Sequence, residues 1–136
     1  MKANLKFKDY VVNNIEFKNN LSFDNSPIEI DFDINSEVNF INDKEFFLGL
    51  EIEIFRDPEK NNYPFSFKAE IIGTFEIDTD NEVEKNKLAE QNSVAILFPY
   101  VRALISTYTS ASNVSPIILP PINVVKYIQD KKKKGI

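Results

Sequence analysis

The 136-residue chain has no cysteine and no histidine, and it carries only three glycines. Without those side chains, zinc sites of the usual nitrogen and sulfur type are excluded. Ser-His-Asp and Cys-His nucleophiles are excluded too, and no disulfide framework can form. Three glycines leave no glycine-rich phosphate loop. No apolar run approaches the roughly 20 residues that a membrane-spanning helix needs, so no membrane insertion is expected. The start of the chain, Met1-Lys2-Ala3-Asn4-Leu5, lacks the apolar stretch of a signal peptide. With the missing cysteines, this predicts a cytoplasmic protein.

What is present describes a folded chain. It is 43% hydrophobic and 27% charged, the balance of an ordinary globular domain. Its length fits a single domain over residues 1–136 with a real core. The net charge of −5 argues against nucleic acid as the main partner, because phosphate binding needs a basic face. The run Lys131-Lys132-Lys133-Lys134 reads as a solvated tail that complements the end of a helix dipole. Contact with anionic lipid or RNA is the minor reading of that run.

The first half alternates. From Leu5 to Phe23 apolar residues favour odd positions, with Asp9, Asn13 and Asn19 breaking the pattern. Ile28, Ile30, Phe32 and Ile34 then alternate with acids and Asn35, and Val38 and Phe40 keep the parity. Leu48, Leu50, Ile52 and Ile54 do the same against Glu51 and Glu53, as do Phe65, Phe67, Ala69, Ile71, Phe75 and Ile77 against Ser66, Lys68, Glu70 and Glu76. A period of two puts one set on each face of a sheet. Asp57-Pro58 to Asn61-Asn62 predicts a turn joining the last two strands as an antiparallel hairpin.

The second half changes period. Val94, Leu97, Phe98, Val101, Leu104, Ile105 and Tyr108 make one helical stripe. Asn92 or Ser93 is the expected cap, and Pro99 should kink the helix or mark a restart. Val114 to Pro121 reads as an extended connector, and Asn123 as the cap of a short final helix through Tyr127 and Ile128. Strands at about 5–78 and helices at about 83–131 predict an α+β architecture: a four-stranded antiparallel sheet, a long helix and a short C-terminal helix.

Few residues invite chemistry. The acids fall mostly in strand alternation, where they form a solvated face. Asp78, Asp80 and Glu82 lack the glycine and distal glutamate of a calcium loop and read as a turn. The chain is therefore expected to be no enzyme and to hold no metal or other cofactor. Gly73, in mid-strand, predicts close approach of a neighbouring element. Twelve phenylalanines and five tyrosines fit either a core or a partly exposed apolar groove.

The stretch Ile96-Leu97-Phe98-Pro99-Tyr100-Val101-Arg102, followed downstream by Leu119-Pro120-Pro121-Ile122-Asn123, resembles the signature of the SecB family. These are tetrameric chaperones that hold unfolded proteins for export. Leu21-Ser22-Phe23 and Ile72-Gly73-Thr74-Phe75 are similar to the family's first and fourth strands. The resemblance covers roughly residues 5 to 130 and is specific in the second half. It implies a homotetramer, as a dimer of dimers, that binds unfolded or precursor proteins without ATP. It implies client-groove roles for Phe75, Ile77, Ile117, Ile118, Leu119, Pro120 and Ile122. Leu97, Tyr100, Val101, Leu104, Ile105 and Tyr108 would serve the helix face and the oligomer interface. Asp24, Asp31, Asp33, Glu51 and Glu53 would form an acidic face for docking the SecA motor.

Three departures from the family pattern stand out. Only Asp24-Asn25-Ser26-Pro27 separates Phe23 from Ile28, which predicts loss of one wall of the groove. Asn20 stands where the family places an acid of its motor-docking pair. The last helix ends in lysines rather than an acidic tail. The resemblance thus implies a general holdase, a chaperone dedicated to one client such as an antitoxin, or a scaffold that has lost client binding.

Overall fold

The computed structural model describes residues 4–112, 114, 118–119 and 122–134. Its four alternating segments become strands β1 (Asn4–Asn19), β2 (Phe32–Phe40), β3 (Glu45–Ile54) and β4 (Phe65–Asp78). They form an antiparallel sheet in the order β1-β4-β3-β2. One helical turn, α1 (Pro58–Asn61), closes the hairpin between β3 and β4 where the turn was expected.

The register brings the apolar set of each strand to one face. Leu50 stands opposite Ile71, Ile52 opposite Ala69 and Ile54 opposite Phe67, all buried. β1 slips register between Phe7 and Asp9 and again between Val12 and Asn14. An extra residue at each bulge reverses side-chain parity, which is why the alternation of this strand is imperfect. After the first slip Tyr10 packs its ring on Tyr100, centroids 4.7 Å apart.

The cover is helical. Asn81 accepts a hydrogen bond from the Glu84 amide (3.0 Å) and caps α2 (Glu82–Lys87). A π-helical turn, Leu88–Asn92, runs without a break into α3 (Ser93–Ala111). The expected cap at Asn92 or Ser93 is therefore corrected: both lie inside continuous helix, and the Ser93 hydroxyl donates back to the Ala89 carbonyl. Helix also continues through Pro99, so α3 does not restart there. The final helix is α4 (Val124–Lys134), and Asn123 caps it by accepting from the Lys126 amide (3.0 Å).

Leu97, Val101 and Ile105 press α3 onto the apolar face of the sheet. Gly73 permits this approach. A β-carbon there would lie 2.9 Å from a Phe75 ring atom and 3.2 Å from both Leu97 methyls. Phe46, Phe55, Phe65, Phe67 and Phe75 are fully buried beneath the cover. About half of the phenylalanines thus serve the core, each contributing about 1.5–3 kcal/mol by burial. No helix among the described residues is long and apolar enough to cross a membrane.

Candidate functional site

β1 and β2 occupy opposite edges of the sheet, so the chain from Asn20 to Asp31 must cross its whole end. This corrects the expectation of a short connection. Leu21, Phe23, Ile28 and Ile30 keep strand-like parity but leave the ladder and build a crossover. Alternation reports an extended chain, not whether that chain has a neighbour.

The crossover is pinned at several points. The Asn20 side chain is buried, and its amide donates to the carbonyls of Pro58 (3.2 Å) and Tyr63 (2.9 Å). Its oxygen accepts from the Ser22 amide (3.0 Å). Asp24 accepts from the Asn62 side chain and from both the amide and the hydroxyl of Ser26. Those hydrogen bonds, Asn62 first, hold its carboxyl down at about 2. The Phe55 amide donates to the Asp31 carbonyl (2.9 Å). Asn25, Phe55, Asp57 and Asn62 all take the left-handed backbone conformation at this end of the sheet. For a bulky residue such as Phe55 that conformation is strained, by about 1–3 kcal/mol.

Between the crossover and the sheet lies a groove of about 620 Å³. Its lining includes Phe23, Ile28 and Ile30 of the crossover, the buried Phe55 and Phe65 at the end of the sheet, and Val114. Leu21 stands at its mouth with 93% of its surface exposed. These crossover residues were missed as site residues. The local signal was the run Asp24-Asn25-Ser26-Pro27, which fits a loop corner better than a strand turn.

The expected groove residues separate. Phe75 and Ile77 are buried in the core, so their side chains are covered by the helical layer and offer no surface; a strand residue on the apolar face has nowhere else to point. Leu119 is also buried, at 2%, and its carbonyl accepts from the Arg102 guanidinium (2.8 Å). Ile118 is 72% exposed and Ile122 half-buried. Ile122 borders a second hollow, of about 470 Å³, between α3 and the start of α4, with Phe98, Pro99 and Arg102. Ile117 and Pro120 lie outside the described residues.

The helix-face set divides likewise. Leu97, Val101 and Ile105 serve the helix face, buried against the sheet, and so offer no surface for the oligomer interface also expected of them. Leu104 and Tyr108 are half-buried, with Tyr108 packed on Phe17 and Phe67. Tyr100 remains exposed beside Ile96.

The acids do not form one patch. Asp24 and Asp31 belong to the crossover, whereas Glu51 and Glu53 project from β3 on the face opposite the helices. Arg56 bridges Glu53 (3.2 Å) and Asp33 (3.4 Å). Asp33 also holds α4: Lys131 lies 2.5 Å from it, and the Tyr127 hydroxyl donates to it (3.1 Å). Burial pushes the Asp33 carboxyl up, but the hydrogen bonds from Lys131 and Tyr127 and the nearby cations leave it below its ordinary range. Burial, then Asp33, pushes the Tyr127 hydroxyl up.

Comparison with known proteins agrees with this architecture. The family model described as "Preprotein translocase subunit SecB" matches residues 4–134. An uncharacterized protein of Methanocaldococcus jannaschii is 38% identical over 126 residues, covering 90% of this chain and 81% of that protein. Among solved structures, the Mycobacterium tuberculosis SecB-like chaperone in complex with a ChAD peptide from the HigA1 antitoxin superposes with a TM-score of 0.68. It is 12% identical, with 87% of each chain covered. A protein of unknown function from Streptococcus agalactiae gives 0.51 at 16% identity, covering 89% of this chain and all of that one. The family match over nearly the whole chain, on a sheet and helical cover of the same kind, places this protein in the SecB family.

Proposed function

We propose that this protein is an ATP-independent holdase that keeps exposed apolar segments of unfolded or precursor proteins from aggregating in the cytoplasm. The observation that carries this reading is the crossover groove. An almost fully exposed Leu21, an exposed Ile28 and the half-buried Phe23 and Ile30 line it together. Apolar side chains left bare together in one groove mark a binding site. An extended client could lay alternate side chains into the trough, and any ligand that binds the unfolded state preferentially opposes its folding by mass action.

The working form in this proposal is a homotetramer built as a dimer of dimers. The edge of β1, with Tyr10, Val11 and Val12 exposed, and the outer face of α3, with Ile96 and Tyr100, are its candidate interfaces. Delivery to SecA would compete with ion pairs already made, because Asp33 and Glu53 are engaged by Lys131 and Arg56. A second reading is a chaperone dedicated to one client. The structural neighbour captured with an antitoxin peptide favours it, as does a groove bounded by a crossover pinned at both ends.

The test is light scattering of a denatured reference protein diluted into buffer with the purified protein, with oligomer mass measured on the same sample. Suppression of aggregation below one oligomer per client, without ATP, is the expected outcome. A well-formed oligomer that leaves aggregation untouched overturns the general reading in favour of a dedicated client.

A further inference from the structure

The outer wall of the crossover groove is a stretch of chain with no strand beside it. Leu21 to Ile30 belongs to no ladder of the sheet, and such connecting segments are ordinarily mobile. The fold sets its two ends. Asn20 is buried and its backbone amide donates to the Pro64 carbonyl (2.9 Å), while the Asp31 carbonyl accepts from the Phe55 amide (2.9 Å). With nothing more, the stretch between those ends would be free to swing.

One contact holds its middle. The Asn62 side-chain amide donates to the Asp24 carboxylate at 2.9 Å. The same carboxylate oxygen accepts from the Ser26 amide (2.9 Å) and hydroxyl, which folds the corner around the left-handed Asn25. Asn62 is left-handed too, with φ 54°, at the end of α1. Asparagine tolerates that conformation better than most side chains do.

Neither partner reaches the groove. Among the described residues, Phe23, Asn25 and Ser26 on either side of Asp24 line it, but Asp24 and Asn62 do not. Any effect of the pair on a client must pass through the crossover, so these are positioning residues. The described lining carries no charged side chain. A charge placed there would lose its water without gaining a partner, so the segment that suits the groove is uncharged and apolar.

We propose that the Asp24–Asn62 pair sets how selective the crossover groove is. Latched, the crossover is a fixed wall, and a segment that fits it binds with little ordering of the protein. Promiscuous binders instead use surfaces that re-pack around what they meet. Unlatched, the wall becomes such a surface: it accepts more segments and holds the best of them less tightly. The proposal rests on the holdase reading of this groove, and the two can fail separately.

The experiment is fluorescence anisotropy of the intact protein with the labelled peptide Ser-Ala-Ser-Ala-Ser-Ala-Ser and its valine, leucine and phenylalanine counterparts. The tightest and weakest of the four should differ by about tenfold or more in the wild-type chain and by about threefold or less in Asn62→Gly. The tightest should lose affinity and the weakest gain it. Glycine removes the amide but keeps the left-handed backbone, so circular dichroism should show this variant folded. A merely structural defect would weaken all four peptides by one factor and leave their ratios unchanged. Hydrogen exchange of the Leu21–Ile30 amides should rise in Asn62→Gly, with the β3 and β4 amides unchanged. Swapping the partners, Asp24→Asn with Asn62→Asp, keeps one donor and one acceptor and should restore the wild-type spread. Binding that Leu21→Asp abolishes, with a spread that Asn62→Gly leaves as it was, overturns this proposal and leaves the groove standing. Unchanged exchange in the crossover overturns it as well. No binding of any peptide, or binding indifferent to Leu21→Asp, overturns the groove reading and this proposal with it.

Discussion

The Asn20 side-chain amide donates to the Tyr63 carbonyl oxygen at 2.9 Å and ties the start of the crossover to the β3–β4 hairpin. A carboxylate at this position could donate nothing and would face two carbonyl oxygens in a buried place. Asn20 is thus a structural lock where the family pattern has a docking acid. Asn20→Asp should lower stability by about 2 kcal/mol, the cost of a broken buried hydrogen-bond pair. Urea unfolding followed by circular dichroism measures it; an unchanged midpoint would remove the lock.

Leu21→Asp should abolish suppression of aggregation while changing stability by less than about 0.5 kcal/mol, because the side chain is exposed. Leu119→Asp makes the contrast. It puts a charge into a buried site and should lower the stability of the fold. Light scattering and thermal unfolding on the two variants separate a groove residue from a packing residue.

Gly73→Ala should destabilise by about 1–3 kcal/mol, since the added methyl overpacks Phe75 and Leu97. A glycine-to-alanine change in a roomy strand would stabilise instead, so the sign of the shift in Tm reads directly on how closely α3 is pressed to the sheet.

Lys131→Ala should loosen α4, which Lys131 fastens to the free edge of β2 through Asp33, the Ile34 carbonyl and Asn35. An ion pair of this exposure contributes about 1 kcal/mol or less. Hydrogen exchange across Val124–Lys134 should rise up to about fivefold, with the β3 and β4 amides unchanged.

Asp33 and Asp24 set the acid limit. Both carboxyls are held below their ordinary value of 3.8, Asp24 at about 2. Groups depressed by folding contribute stability that is complete above the unfolded value and lost as pH falls through the folded one. The clasp of α4 and the crossover turn should therefore hold at pH 5 and weaken between about pH 4 and pH 2. Asp33→Asn should flatten the α4 part of that dependence, read by hydrogen exchange against pH.

Much of the architecture was legible. Alternation around Leu50 and Ile71 placed the core face of each strand, and the spacing of Leu97, Val101 and Ile105 placed the face of α3. The signature around Phe98-Pro99-Tyr100 carried the family. The site was read less well. Phe75 and Ile77 resemble groove residues by position, yet the fold spends them in the core.

Periodicity and short motifs are local properties, and they settled the α+β class, the inward and outward faces and the absence of histidine and cysteine chemistry. Strand order is a non-local property. It arises when β1 pairs with β4 across most of the chain, and that pairing sends Leu21 to Ile30 around the end of the sheet. Gly49 and Gly73 show the same division. Identical in sequence terms, one is filled by a helix and the other opens onto solvent. The difference lies in which element packs on which side of the sheet, and that depends on contacts between residues far apart along the chain.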